Sequence, residues 1–347
     1  MQDHHGVRHD AQHEGRQEDR HALHGDVHGG ALRFGVHSGQ QYQDFDTCLE
    51  LWQRVEELGY DWVSLFDHFR PPMGGPDGPC FEGTTLLAAL AARTRRIRCA
   101  LLVSAVTWRH PAQAAAIAAT LDHVSRGRLE FGVGAGGADL AYEQYGIPFP
   151  PAADRVEMLD EAIRVLRGLW TQERTDFQGR HFVLRSATLA PKPLQARLPL
   201  VVGGEGKRRM LRVVAEHADI WNTLAGDPAQ YRDKLAALHR HCAEVGRDPA
   251  TIRQSVTFRA VLGDDPAEVA ERRRELARTY PPDSPIWPEF LVFGTPEECA
   301  ERLWEYRRMG VGDFLLGARP PVDWRTVELF AQRVIPALRT AEPTTGG

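Results

Sequence analysis

The chain has 347 residues, 42% of them hydrophobic and 26% charged, with a formal net charge of −5, which is ordinary for a globular protein able to bury a large core. That balance, with no basic block, leaves no electrostatic footprint for nucleic acid and points to a small-molecule partner. Apolar stretches such as "CALLVSAVTW" stop short of a bilayer span and no charged segment precedes an apolar signal core, so a cytoplasmic protein without membrane attachment is expected.

Residues 1–30 hold seven of the fifteen histidines and almost nothing apolar. Such a stretch cannot offset the entropy of ordering. The expected division is a disordered His-rich tail over 1–31, one folded domain over 32–340 and a flexible end over 341–347. "LRFGV" from Leu32 reads as the natural start of a first strand, which leaves open whether the tail belongs to the native protein. The histidines of the tail sit in a stretch with almost nothing apolar to order them, and the five cysteines are scattered without a C-x-x-C pair. Neither a metal site nor a disulfide framework is expected.

From Arg33 onward, short strand-like runs alternate with amphipathic helical patterns, the signature of repeated βα units. "RFGVH" is the first run. Cys48, Leu51, Trp52, Val55 and Leu58 then share a helical face that stops at Gly59. "DWVSLFDH" is the second strand, followed by a Pro/Gly-rich loop and the helix "TTLLAALAARTRR". "IRCALLVSAVT" is the third, and His110-Pro111 opens a helix with proline in the first turn, where the missing N–H costs nothing; His110 itself reads as a cap. "RLEFGVGAG" is the fourth strand and its loop. Asp154 and Glu157 read as a reciprocal cap for a helix whose buried face is Val156, Leu159, Ile163, Leu166 and Trp170. "DFQGRHFVL" alternates around Gln178-Gly179 like a small hairpin. "LPLVVGG", "ADIWN", "IRQSVTFRAVL" and "DFLLG" are strands five to eight, separated by further helices. "YPPDSPIWPEFLVFG" reads as irregular, ahead of a capping box at Thr295, Pro296 and Glu298. Val327 to Leu338 closes the chain as a helix.

Eight such units over about 310 residues match a (β/α)8 TIM barrel with insertions, the usual size being about 250. One stretch contests this. Gly132, Gly134 and Gly137 of "RLEFGVGAGG" fit the dinucleotide fingerprint G-x-G-x-x-G. A Rossmann unit, however, places that loop after its first strand and opens a helix on it, whereas here three βα units come first and the proline-bearing "YEQYGIPFPP" follows. The acidic residue expected some 20 positions on is also missing, since Glu157 and Asp160 lie in a helix. The glycines therefore belong to a barrel loop.

Several stretches in order, "SLFDHF", "VSAVTWRHPAQAA", "TLDHVSRGRLEFGVGAG", "YGIPFPPAADRVEMLDEAIRVLRGLW" and "PLVVGGEGKRRMLRVVAEHADIWN", resemble the bacterial luciferase-like oxidoreductase family from Leu32 to Leu338. The likeness is greatest to the branch that uses the deazaflavin coenzyme F420. The resemblance implies the barrel already inferred, with a flavin or deazaflavin over the carboxyl ends of its strands. It implies that His68 is the catalytic acid or base, a task to which an imidazole is suited, and that Asp67 helps fix the cofactor. It further implies that the peptide between Ser104 and Ala105 is cis, bulging beneath the ring, with Ser104 and Thr107 bonding the ring edge. Gly134, Ala135 and Gly136, with Gly203 and Gly204 ahead of a helix beginning near Gly206, would let backbone N–H groups approach the ribityl-phosphate. Lys207, with Arg208 and Arg209 beside it, could screen a phosphate or the acidic tail of F420. Trp221 and Asn222 could line the pocket. "HRHC" at His239 to Cys242 reads as core and surface, because Cys242 falls on the apolar stripe.

One departure is informative. The sugar-phosphate dehydrogenase of the family carries an aromatic residue four positions after its histidine and a glutamate after its glycine pair, where this chain has Pro72 and Gly137. A substrate other than a sugar phosphate is expected. The leading expectation is thus an F420-dependent oxidoreductase, acting as a reductase on a small organic molecule. The alternatives are an FMN-dependent monooxygenase that consumes oxygen and depends on a separate flavin reductase, and a non-catalytic flavin-binding protein. Barrels of this kind often form homodimers.

Overall fold

A computed structural model describes residues 31–72, 75, 77–137, 140–280 and 290–340. The two terminal segments assigned above to tails therefore lie outside the described residues, apart from Ala31. The first strand, β1 (Arg33–Ser38), is followed in chain order by α1 (Phe45–Glu57), β2 (Trp62–Leu65), α2 (Gly83–Arg93), β3 (Arg98–Ala105), α3 (Pro111–Val124) and β4 (Leu129–Gly134). Next come α4 (Leu140–Gln144), α5 (Ala152–Thr171), the strands β5 (Thr175–Gln178) and β6 (Val183–Ala187), then β7 (Leu200–Gly203), α6 (Met210–His217), β8 (Ile220–Leu224) and α7 (Pro228–Val245). The remainder is β9 (Arg253–Leu262), α8 (Pro266–Thr279), β10 (Phe290–Gly294), α9 (Pro296–Arg308), β11 (Val311–Ala318) and a closing helix from Trp324 to Thr340 whose middle, Phe330–Val334, widens into a π turn.

Strands β1, β2, β3, β4, β7, β8, β9 and β11 pair in parallel in that order, and β11 returns to β1, closing an eight-stranded barrel. Parallel strands buried on both faces read as the near-continuous apolar runs seen in the sequence. β5 and β6 form the expected antiparallel hairpin. β10, within the segment expected to be irregular, instead pairs with the upper half of β9, from Arg259 to Leu262. The prolines ahead of it hide a strand of only five residues.

Inside the barrel, inward positions at every second residue form layers. At the amino-terminal end Arg33, Arg98 and Arg253 meet Glu130 and Asp313: Arg33 Nη1 lies 2.5 Å from Glu130 Oε1, and Arg98 Nε 2.7 Å from the same oxygen. Above them Trp62, Ala100, Leu102, Val201, Ile220 and Leu315 form an apolar plug. The upper layer is polar, with His37 Nδ1 2.9 Å from Ser64 Oγ and Asn222 Nδ2 donating to Ser255 Oγ at 3.0 Å. A charged floor beneath an apolar plug shuts one end, so ligands can enter only over the carboxyl ends of the strands. Outside the strands, Trp52, Trp221, Tyr231, Tyr306 and Phe330 are wholly buried under the helices, and each such side chain contributes about 1.5–3 kcal/mol or more through burial.

The caps explain most helix starts. Asp227 accepts from Ala229 N at 2.9 Å, and Thr295 with Glu298 closes a capping box beside Pro296. His110 caps α3 by accepting from Ala112 N at 3.2 Å. The cap expected at Asp154 and Glu157 is not formed. Helix α5 starts earlier, after Pro151, with no side-chain cap, and Asp154 faces Arg180 at 3.4 Å instead; proline, lacking an N–H, is well placed at a helix entry. Among the described residues no helix is long and apolar enough to cross a membrane.

Candidate functional site

Where β2 ends, the chain continues through Phe66 into Asp67 and His68. Asp67 is buried, and both carboxylate oxygens are engaged. Ser104 Oγ donates to Oδ2 at 2.7 Å, and Arg109 grips both oxygens, with Nη2 3.0 Å from Oδ1. Arg109 reaches on to Glu82, the N-cap of α2, whose Oε1 and Oε2 accept from Thr84 N and Thr85 N. Burial alone would weaken the Arg109 charge, but Asp67 and Glu82 outweigh it and hold the guanidinium more firmly protonated. Likewise burial of Glu82 is overcome by its bonds to Thr85 and Thr84, which pull its carboxyl below the usual range. This ionic knot ties the ends of β2 and β3 to the start of α2.

His68 is half-buried, its ring edge-on to Phe66 with centroids 5.6 Å apart. It faces a cavity of about 490 Å³ that Asp67, Ala105, Gly134, Ala135, Gly136, Gly203 and Gly204 also line. That volume lies in the range of small-molecule sites, about 300–1,000 Å³. One strand away, His37 is buried against Ser64. Burial, with Arg319 and His68 adding like charge, pushes its pKa down to about 3, so at neutral pH it is an uncharged neighbour.

The glycines serve the backbone of β3 as well as the cavity. Pairing of β3 with β4 shifts register between Leu101 and Ser104, and the displaced Val103 side chain fills the space left by Gly134 and Gly203. A Cβ at Gly134 would come within 2.7 Å of Val103 Cγ2, and one at Gly203 within 2.9 Å of Cγ1. Gly136 has φ of +79°, a left-handed conformation glycine adopts without strain. Among the described residues the non-proline cis peptide is Leu102–Val103, two residues ahead of the expected Ser104–Ala105 bond; the irregularity lies within β3, where Val103 enters the glycine gap.

The other expected residues are placed differently. Ser104 lies beneath the cavity on Asp67 and does not line it. Thr107 Oγ1 is 2.5 Å from Tyr142 Oη, the outer wall. Lys207 is outside the lining, exposed, with Nζ 3.3 Å from Asp233, because α6 starts at Met210 rather than near Gly206. Trp221 is core: it stacks on Tyr231 with centroids 5.7 Å apart and donates to Gly204 O at 3.0 Å. Asn222 is taken up by Ser255 and Thr257.

Sequence reasoning missed Trp108, Tyr142 and Arg155. Trp108 stacks on Tyr142 at 4.0 Å, Phe149 packs against Tyr142, and Arg155 lies over Phe149 at 3.9 Å. Arg155 donates to Ala135 O at 3.1 Å and Pro150 O at 2.6 Å. It is the arginine among the described lining residues, beside the glycine segment, and takes the place expected for Lys207. The aromatic "YEQYGIPFP" run was the available signal. The cavity thus offers exposed backbone and a guanidinium for an anionic group, an apolar floor of Leu102, Val103 and Ala105 for a flat ring, and one imidazole at the open side.

A closed (β/α)8 barrel with a glycine-cradled, aromatic-walled cavity at its carboxyl end and an imidazole on the rim defines the class: a barrel built to bind a small ligand over the ends of its strands. Residues 28–289 match the family described as luciferase-like monooxygenase, and the chain belongs to that family. An F420-dependent glucose-6-phosphate dehydrogenase of Microbacterium testaceum is 28% identical over 89% of this chain and 98% of its own length. An FMNH2-dependent dimethylsulfone monooxygenase of Pseudomonas putida is 28% identical over 86% of this chain and 89% of its own. The fold is shared with an F420-dependent secondary alcohol dehydrogenase solved with an F420-acetone adduct, at TM-score 0.76, 22% identity and coverage of 89% and 100%.

Proposed function

We propose that this chain is a coenzyme F420-dependent oxidoreductase that moves a hydride between the deazaflavin and a small organic substrate, chiefly as a reductase. The observation that carries the proposal is that His68 opens onto the same cavity as Gly134–Gly136, Gly203, Gly204 and Arg155. F420, when bound, supplies or accepts the hydride. Backbone N–H groups of the two glycine segments and Arg155 would hold its ribityl-phosphate, and the floor of β3 would support the ring. His68 gives or takes the proton that must accompany hydride transfer at the substrate. Asp67, locked by Ser104 and Arg109, positions the loop that carries it, and the Trp108–Tyr142 wall excludes water from one side.

The test is oxidation of reduced F420 by a panel of carbonyl and alkene substrates, followed with wild type and His68→Ala. Loss of turnover by about 100-fold or more, with cofactor binding retained, is the expected result; equal turnover would overturn the role of His68.

The dimethylsulfone monooxygenase relative favours a second reading, in which reduced FMN from a separate reductase reacts with oxygen. Oxygen uptake with FMN, absent with F420, would favour it. We further place the enzyme in the cytoplasm as a homodimer, with residues 32–340 as its catalytic domain. Sedimentation measures the assembly, and deletion of residues 1–31 is expected to leave cofactor binding unchanged.

A further inference from the structure

Beside His68 the rim of the barrel is built of aromatic rings drawn from three successive strand ends. Phe69 follows His68 after β2, Trp108 follows β3, and Tyr142, Tyr145 and Phe149 come from α4 and the chain after it. Phe69 meets Trp108 at a centroid distance of 4.9 Å and Tyr145 at 6.0 Å, and the row continues from Trp108 through Tyr142 to Phe149, the last two centroids being 4.4 Å apart. Trp108 and Tyr142 also line the cavity of His68, so the row is continuous with the cavity wall. Its outer members stay in solvent: Tyr145 is 54% and Phe149 38% exposed, and Leu140, at the start of α4, is 47% exposed. Apolar side chains scattered singly over a surface are ordinary, whereas three within ten residues of chain beside a cavity wall mark a binding surface.

The charges in contact with these rings are spent. Among the described residues two guanidiniums lie over them, Arg109 at 5.7 Å from the Phe69 centroid and Arg155 over Phe149. Arg109 is held by Asp67 and Glu82, and Arg155 by the carbonyls of Ala135 and Pro150. Asp67 is in turn consumed by Ser104 and Arg109. Trp108 gives its N–H to Asp67 O at 3.1 Å, so it has only ring surface left to offer a ligand. His68 itself packs edge-on against Phe66. With the glycine-lined floor given to the cofactor ring, the substrate has the space between His68 and this rim, where apolar surface is what the protein presents.

We propose that the substrate is a bulky, uncharged, ring-bearing molecule whose apolar body lies against Phe69, Trp108 and Tyr145, with its reacting carbon at His68. A flat apolar ring gains there both from covering exposed aromatic surface and from stacking, and a small polar molecule gains neither. A charged group in the same place would lose water without finding a free partner among these side chains. Naming the occupant as substrate rests on the oxidoreductase reading; the affinity of the rim for an uncharged ring stands on these residues alone.

The full chain, with and without F420, is equilibrated by dialysis against acetylnaphthalene, its anionic counterpart naphthoate, and acetone, for wild type, Tyr145→Ala, Phe69→Leu and Leu194→Ser. Leu194 is as exposed as Tyr145 but lies at the closed end, where its neighbour Gln195 bonds Leu129 O, and so reports non-specific adsorption. The expected result is binding of acetylnaphthalene in preference to naphthoate and acetone, no weaker with F420 present, weakened about tenfold by Tyr145→Ala and by Phe69→Leu and unchanged by Leu194→Ser. With reduced F420, Tyr145→Ala should raise KM for acetylnaphthalene by a similar factor and leave kcat and acetone turnover little changed. Equal affinity in all four proteins, or tighter binding of naphthoate, would overturn the proposal. So would displacement of acetylnaphthalene by F420, which would put the ring in the cofactor cavity, or altered sedimentation of Tyr145→Ala, which would assign the rim to a contact between copies. Variant-sensitive binding of acetylnaphthalene in protein that does not quench F420 would support the apolar seat and sink the cofactor reading alone.

Discussion

At the scale of single residues, the site rests on ionic groups that cannot be replaced one at a time. Arg109 neutralises Asp67 inside a buried knot, so Arg109→Leu strands a carboxylate and is expected to destabilise the fold by about 3 kcal/mol, read as a lower urea midpoint. Arg155, by contrast, spans loop carbonyls at the cavity wall. Arg155→Gln is expected to weaken F420 binding by about tenfold through loss of one charge-assisted bond, with stability little changed; fluorescence titration and thermal unfolding on the same samples separate the two effects. His37 carries a pH consequence. Its folded pKa of about 3 lies below the ordinary 6.5, so below pH 6.5 the unfolded chain binds the proton first and stability is lost as pH falls toward 3. His37→Asn should flatten this limb of a plot of Tm against pH, and an unchanged slope would argue against a neutral buried ring.

At the scale of elements, β3, β4 and β7 work as a unit, because Val103 occupies the gap left by Gly134 and Gly203. Gly134→Ala is expected to cost about 1–3 kcal/mol from overpacking, and Val103→Ala in the same chain should recover most of it. Additive losses in that double-mutant cycle would refute the interlock. The same elements mark what could be read in the sequence. The eight barrel strands were legible because each is a largely buried apolar run set between helical patterns, and Asp67-His68 was placed at a strand end by that pattern alone. The five-residue β10 was not, since its stretch is dominated by prolines. Nor was the partner of Asp67, since Arg109 lies 42 residues away and only the pairing of β2 with β3 brings them together. Lys207 misled for a local reason: three basic residues after a glycine pair looked like a helix start, but the helix begins at Met210 and leaves Lys207 in solvent. Arg155, twenty residues beyond Ala135, was hidden among helix-surface charges.

At the scale of the molecule, the barrel is closed at one end and receptive at the other. Glu130 lies at the closed end, where burial would raise its pKa but Arg33 and Arg98 outweigh burial and pull it down to about 2. Its contribution is present above the ordinary value of 4.5 and is lost as pH falls from there toward 2; Glu130→Gln should lower Tm at pH 7 far more than at pH 3. The receptive end combines the glycine-lined cavity and the imidazole of His68 on one rim. The most direct test of that arrangement is a fluorescence titration of F420 into the full chain, repeated in the presence of FMN. Saturable quenching that a comparable concentration of FMN does not displace is the result the account requires. No quenching at saturating protein, or ready displacement by FMN, would contradict it.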